Sequence, residues 1–216
     1  LVVIEAKSPT NKSQHLHDTI DQVKSLEREV PRLFAPNLLN IATTDVDLRY
    51  GAPGAPKEFW SRWRDPWPRS AEEFADATAQ GAYALLEPSR LLDILAHFVV
   101  FETRDGVTVK KVCRYQQYRA VNKMVQRVVE GAHRAGLIWH TQGSGKSLTM
   151  VFAALKLKLH RGITSPRLTN PNLLVLTDRI DLNTQITQTF QAVGIPNITQ
   201  PRSIRELRKA VTPGSV

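Results

Sequence analysis

The residues whose types and spacing specify chemistry most directly lie between Gly136 and Thr149, in the run Gly-Leu-Ile-Trp-His-Thr-Gln-Gly-Ser-Gly-Lys-Ser-Leu-Thr. An apolar stretch, a glycine-rich turn and a helix start come in succession there, the context that a phosphate-binding loop requires. Gly143 and Gly145 let the backbone curl so that consecutive N–H groups face one anion, and the positive end of a helix starting near Lys146 adds to them. Thr141, Gln142, Gly143, Ser144 and Gly145 would form the cradle. Lys146 would reach the β- and γ-phosphates of a nucleoside triphosphate, and the Ser147 hydroxyl would ligate Mg²⁺. The first glycine of the usual G-x-x-x-x-G-K-[ST] pattern is His140 here, which changes the strand exit and leaves the phosphate-contacting atoms in place. Gly-Ser-Gly-Lys-Ser in this context arises by chance in about one of 10⁵ windows, so an incidental turn bearing an exposed lysine is the weaker explanation.

Such a loop has to be held by strands and helices in alternation. The apolar patterning predicts strands at Leu1–Lys7, Asn37–Thr44, Gly136–His140 and Leu173–Thr177. Helices are predicted at Ser13–Glu29, where Leu16, Ile20, Val23 and Leu26 recur at helical spacing, and at Ala71–Ala84, Ser89–Ala96, Tyr115–Glu130, Lys146–Leu159, Leu182–Phe190 and Ser203–Ala210. Pro31 should close the first of them. Asp105-Gly106 predicts a hairpin joining Phe98–Thr103 to Val107–Val112. Residues 51–70, rich in Gly, Pro and Trp, cannot form a long regular element and read as a packed connector. Strands alternating with helices beyond residue 111 imply a parallel sheet with crossover helices, the α/β class. The resulting division is 1–50, a connector with helices and hairpin over 51–110, and 111–216.

Composition sets the outer bounds. The 216 residues are 42% hydrophobic and 23% charged, enough apolar content for one large or two small folded domains. No apolar run approaches the roughly 20 residues that cross a bilayer. The chain opens in an apolar run with no basic leader, so a secretory signal is not expected, and it is expected to begin within a domain. One cysteine, Cys113, rules out an internal disulfide and fits a small buried side chain in a reducing cytosol. Charge is uneven: residues 1–110 carry 13 Lys/Arg and 16 Asp/Glu, a net −3, whereas residues 111–216 carry 16 and 4, a net +12. A basic half of that kind suits a polyanionic partner such as nucleic acid.

The wording His140-Thr-Gln-Gly-Ser-Gly-Lys-Ser-Leu-Thr149, with the segments flanking it, resembles the restriction (R, or HsdR) subunit of type I restriction-modification enzymes over essentially the whole chain. Upstream, Arg114-Tyr-Gln-Gln-Tyr-Arg-Ala-Val121 resembles that family's glutamine motif, in which Gln117 would read the adenine edge. A glutamine amide both donates and accepts, as adenine requires. Members of the family often have His at position 116, so the choice between Gln116 and Gln117 stays open. Downstream, Val175-Leu-Thr-Asp-Arg-Ile-Asp-Leu-Asn-Thr-Gln185 resembles the second motor motif. The resemblance implies that Thr177 and Arg179 touch the DNA backbone, whereas Asp181 should cap the next helix.

At the other end, Leu1-Val-Val-Ile-Glu-Ala-Lys7 resembles the E-x-K half of a PD-(D/E)xK nuclease site. Residues two apart on a strand share a face, so Glu5 would offer Mg²⁺ an oxygen and Lys7 would orient the attacking water or stabilise the developing charge. Taken alone, Glu-x-Lys is common; its position carries the weight. Gln22, Pro31-Arg-Leu-Phe34 and Asn37 match the family's pattern downstream of this strand, and Leu26 departs from its Gln-x-x-x-Tyr spacing, which puts the fine positioning of DNA in question.

The resemblance therefore implies a partial PD-(D/E)xK nuclease core and, after it, a partial RecA-like domain of a superfamily-2 motor. It implies ATP and Mg²⁺ as cofactors, double-stranded DNA as substrate, and the methyltransferase and specificity subunits of a type I complex as partners in the cytoplasm. The acid that shares the metal with Glu5 is expected upstream of Leu1, and no Asp-Glu-x-His segment comes after the loop. The 216 residues alone are thus expected to be inactive. Other readings are a different P-loop superfamily-2 helicase, a type III restriction subunit, or a binding scaffold that keeps the loop only as structure.

Overall fold

The computed structural model describes residues 2–7, 16–159 and 171–212. The β-branched run at the start forms strand β1 (Val2–Ala6), which pairs in parallel with β2 (Leu39–Thr43), from Val2 against Leu39 to Ala6 against Thr43. Helix α1 (Leu16–Glu29) lies on the connection between them, and the expected residues 13–15 fall outside the described residues. Its apolar stripe packs Ile20 and Val23 against Ala42, Phe34 and Trp60. Leu39, Asn40, Ile41 and Ala42 are all buried, as a central strand covered on both faces requires. Pro31 does end α1, and it also opens the short α2 (Pro31–Phe34) at a position where a missing N–H breaks no helical bond.

A third strand, β3 (Leu48–Gly51), pairs antiparallel with β2 and is not among the predicted elements. Four residues are too short to show a period; the partner strand decides them. Gly51 has no alternative there, because a Cβ on it would stand 2.8 Å from the Trp60 indole.

The connector packs through Trp60 and Trp63, both buried. The expected helix Ala71–Ala84 is split. Ser70 and Glu73 close a capping box over a 3₁₀ turn at Ala71–Glu73, and Asp76 then accepts a hydrogen bond from the Ala79 amide to start α3 (Ala77–Leu86). Helix α4 (Pro88–His97) leads into the hairpin β4 (Val99–Arg104) and β5 (Val107–Val112), turned by Asp105 at φ 50° and Gly106 at φ 76°. Then come α5 (Tyr115–Glu130), α6 (Lys146–Leu159), α7 (Ile180–Ala192) and α8 (Ile204–Val211), the last capped by Ser203. No helix among the described residues is long and apolar enough to cross a membrane.

The architecture is thus mixed α/β, but the parallel sheet expected beyond residue 111 is not formed among the described residues. Residues 136–140 and 171–177 contain no strand, and Leu137, Trp139 and Leu176 are 86%, 86% and 78% exposed. Apolar, β-branched sequence supplies propensity, but a strand exists only when a neighbour takes its hydrogen bonds. The only parallel pair among the described residues is β1 with β2.

The main core draws on all three stretches of the chain. Tyr50, Trp63, Tyr118, Phe98 and Phe152 form a run of ring contacts with centroid separations of 5.7, 5.5, 4.8 and 5.6 Å, and Val121, Ile41 and Leu85 pack around it. Beside it is a buried polar node. Lys156 Nζ on α6 donates to both Asp93 oxygens on α4, at 2.6 and 2.7 Å, and to Asn122 Oδ1 on α5, at 2.6 Å. The His97 ring nitrogen Nδ1 lies 2.8 Å from Asp93 Oδ1. Burial alone would raise the Asp93 pKa; hydrogen bonds from His97 and Lys156, with the ammonium charge, overcome it and bring the carboxyl down to about 2.

A carboxylate depressed in the folded state stabilises the fold at pH above its unfolded value and ceases to do so as pH falls through the folded one. Asp93 should therefore contribute about 2 kcal/mol of stability that is constant from neutrality down to about pH 5 and disappears toward pH 2. Urea denaturation of wild type and Asp93→Asn across that range checks this: the gap between the two curves should close on acidification.

Candidate nucleotide-binding loop and acidic strand face

The loop is built by two helix starts meeting. Gln117 is the third residue of α5 and only 2% exposed. Its Oε1 accepts from the Arg114 amide at 2.8 Å and its Nε2 donates to the Gly145 carbonyl at 3.0 Å. Gly145 has φ 82°, and a Cβ there would stand 2.6 Å from Gln117 Nε2, so both conformation and space exclude a side chain. The same Gly145 carbonyl accepts the first helical bond of α6 from the Thr149 amide at 3.0 Å and a further one from Thr149 Oγ1 at 3.2 Å.

Across the turn, Lys146 Nζ donates to the carbonyls of His140 at 2.8 Å and Thr141 at 2.9 Å, and Ser144 Oγ donates to Thr141 O at 2.7 Å. The loop is therefore closed by its own lysine, whose side chain stays at the exposed mouth. Gly143, at φ 76°, and Gln142 are exposed there too, and Ser147 is half-buried in the first turn of α6. Glycines in left-handed conformations, a helix N-terminus and a mouth-facing ammonium are what a nucleotide phosphate needs, and Ser147 has the hydroxyl for a magnesium ion. Both ends of the Gln117 amide are engaged at the back of the loop, whereas Gln116 is exposed beside it.

At the other end of the chain, the structure brings Glu5, Lys7 and Gln22 together. Lys7 Nζ lies 3.2 Å from Glu5 Oε1 on the same face of β1 and donates to Gln22 Oε1 on α1. The Lys7 amide donates to Thr43 O at 3.1 Å, extending the pairing with β2 by one step and holding the end of the strand. Leu26, which stands where the resembled pattern has a tyrosine, packs against the cluster of Ile20 and Val23. Phe34 is core and Leu33 is 51% exposed. Asn37 is buried, its Nδ2 donating to Asn40 Oδ1 at 2.5 Å, while Asn40 donates to Glu27 Oε1 at 2.7 Å. Its surroundings are those of a structural residue. Among the described residues no three His, Cys, Asp or Glu side chains cluster to hold a metal, and the charged partner beside Glu5 is Lys7.

The segment holding Thr177 and Arg179 lacks the expected strand and departs from expectation at its helix start as well. Asp181 is the second residue of α7, not its cap: the N-cap position belongs to Arg179, which makes no side-chain cap bond. Asp181 instead pairs with the Arg179 guanidinium, whose hydrogen bond holds the carboxyl below its usual range. Thr177 Oγ1 donates to Arg179 O at 3.3 Å.

Residues 116–215, which contain Gln117, the loop and Arg179, match the family model described as SWI2/SNF2 ATPase. The chain is 37% identical over 202 residues, 89% of its length, to the type I restriction enzyme HindI endonuclease subunit of Haemophilus influenzae, and covers 19% of that protein. It is 22% identical over 210 residues, 97% of its length, to the type I restriction enzyme SsaAORF53P endonuclease subunit of Staphylococcus saprophyticus, covering 21% of it. To the SauCOLORF180P subunit of Staphylococcus aureus it is 24% identical over 191 residues, covering 88% of the chain and 19% of the relative. The chain spans about a fifth of the length of these relatives. It is a relative of type I restriction enzyme endonuclease subunits with an ATPase-family segment in its second half, as the motifs indicated.

Gly145→Ala should force either Gln117 or the first turn of α6 to move and weaken binding of Mg²⁺ and a fluorescent ATP analogue by about 10- to 100-fold. Wild-type affinity in that variant, measured by equilibrium titration, would show that the Gln117–Gly145 contact does not seat the loop.

Proposed function

We propose that this chain is the nuclease-to-motor part of the restriction subunit of a type I restriction-modification system, an ATP-dependent DNA translocase and endonuclease. The observation that carries this reading is the convergence of Glu5, Lys7 and Gln22 at the end of β1 in the same chain that holds the Lys146 loop. A stand-alone helicase or scaffold has no use for such a face.

In this reading residues 1–50 are the C-terminal part of a nuclease core, 51–110 a connector, and 111–216 the N-terminal part of a RecA-like domain. Lys146 offsets the charge that builds on the β,γ-bridging oxygen as water adds to the γ-phosphorus and that P–O bond breaks. Gly143, Ser144 and Gly145 present the loop backbone, with Thr141 and Gln142 at its entry, and Ser147 would hold Mg²⁺, which would supply charge neutralisation. Gln117 fixes the loop from behind, and the exposed Gln116 beside it is the amide that would meet the adenine edge. At the nuclease face, Glu5 would give a divalent ion one oxygen. Lys7, held by Gln22, orients the water whose oxygen bonds to the scissile phosphorus as a P–O bond to sugar breaks. Thr177 and Arg179 meet the backbone of double-stranded DNA, and the basic second half suits that partner. The specificity subunit supplies target recognition and the methyltransferase subunit joins it in the complex, in the cytoplasm. The isolated 216 residues, which contain no Asp-Glu-x-His segment after the loop, should bind nucleotide weakly and not turn it over.

In the full-length protein, Lys146→Ala should abolish DNA-stimulated ATP hydrolysis while methylation by the assembled complex survives; phosphate release at the wild-type rate would refute the loop assignment. Glu5→Ala and Lys7→Ala should each remove DNA cleavage and leave ATPase nearly intact, because the two sites use different residues. Undiminished cleavage of a plasmid substrate by both variants would make the strand-face match accidental.

A further inference from the structure

The phosphate loop sits at the first turn of α6, while ten residues further along the same helix Lys156 is buried, its side chain 7% exposed. At 1.5 Å rise per residue the two lie about 15 Å apart along the axis. An ammonium has three N–H groups, and here every one has an acceptor: two Asp93 oxygens from α4 and Asn122 Oδ1 from α5. The Phe98 ring, its centroid 5.1 Å from Nζ, covers the charge from the side. Asn122 is itself held, its Nδ2 donating to Tyr118 O at 3.0 Å, and Asp93 is braced by His97.

Beyond Thr149, which bonds within the helix start to the Gly145 carbonyl, the rest of the buried face of α6 is Val151, Phe152, Ala153, Ala154 and Leu157. Apolar contact is non-directional, and small residues such as the two alanines resist sliding along or turning about the axis only weakly. Hydrogen bonds from a buried cation are directional. At the loop end one directional bond ties α6 to α5, from Gln117 to Gly145; at the far end the Lys156 node ties it to α5 again and to α4. A helix fixed at both ends has one axial register.

We propose that Lys156, with Asp93 as its anchor and Asn122 as its third acceptor, is a positioning residue for the phosphate loop. The node sets the register of α6 against α4 and α5 and so places Gly145, Lys146 and Ser147 for the nucleotide. Because Asp93 belongs to the stretch between the nuclease face and the motor segment, that stretch contributes to the nucleotide site and does more than join the two. The inference rests on the nucleotide-binding reading of the loop.

The test separates position from stability. Asp93→Asn combined with Lys156→Met replaces the ion pair by neutral groups of similar shape, so neither partner is left as an uncompensated buried charge. In the full-length protein this double variant should melt close to wild type, yet bind N-methylanthraniloyl-ATP with Mg²⁺ about tenfold more weakly. Hydrogen exchange at the Thr149 amide should accelerate. Should the double variant not fold, Asn122→Ala, which removes one acceptor from a half-buried position, decides the matter: binding about threefold weaker at an unchanged melting temperature is expected. Wild-type affinity in whichever variant folds overturns the proposal. Lys146→Ala in the same assay distinguishes the two levels. If wild-type protein binds the probe no better than Lys146→Ala, the loop assignment fails and this inference with it. If Lys146→Ala loses binding and the node variants do not, only the positioning role fails.

Discussion

The structure depends on one buried contact run, the rings of Tyr50, Trp63, Tyr118, Phe98 and Phe152. They come from β3, the connector, α5, the end of α4 and α6, so a single apolar core joins elements far apart in the chain. Aromatic side chains suit this role because each buries a large area and tilted or edge-to-face contacts add a preference for orientation. Tyr50 is also tied down by its hydroxyl, which donates to Cys113 O at 2.8 Å; burial raises its pKa well above the ordinary phenol value and keeps it neutral. Arg90, buried against Trp63 and Tyr118, spends its guanidinium on the carbonyls of Ala84 and Trp67 and closes the core on the connector side.

Around this core the two candidate sites are built by different means. The strand face is a product of period: Glu5 and Lys7 point the same way because side chains alternate along β1, and α1 then delivers Gln22 to the lysine. The loop is a product of helix termini. Two helices begin close together, and the orphan backbone groups that every helix start leaves behind are divided between internal bonds and a mouth. Gln117, Lys146 and Thr149 take the carbonyls of Gly145, His140 and Thr141, so the chain itself holds the loop in the curled form that anion binding needs.

Charge separates the two halves in the same sense. In the acidic first half several cations are held in ion pairs, such as Lys57 with Asp21 and Arg62 with Asp47. The second half carries the positive excess, and α8 displays Arg205, Arg208 and Lys209 on an exposed surface. The Lys156 ammonium, by contrast, is buried, and it is matched by Asp93 from the first half.

How much of this could be read from the residues differs by element. Helices α5 and α6 match their predicted bounds, and the hairpin forms at Asp105-Gly106, because helical period and a turn dipeptide are local signals that act within a few residues. Glu5 with Lys7, and the glycines of the loop, were legible for the same reason. The sequence did not show which apolar runs become strands: Gly136–His140 and Leu173–Thr177 have the composition, but Leu48–Gly51 is the one that finds a partner. Nor did it show that Lys156 is buried, that Asp93 meets it, or that Gln117 turns its amide to Gly145 across 28 residues. Local preference is determined by neighbours along the chain, whereas a ladder bond, a buried ion pair or a side-chain clamp exists only after folding has chosen which distant groups leave water together.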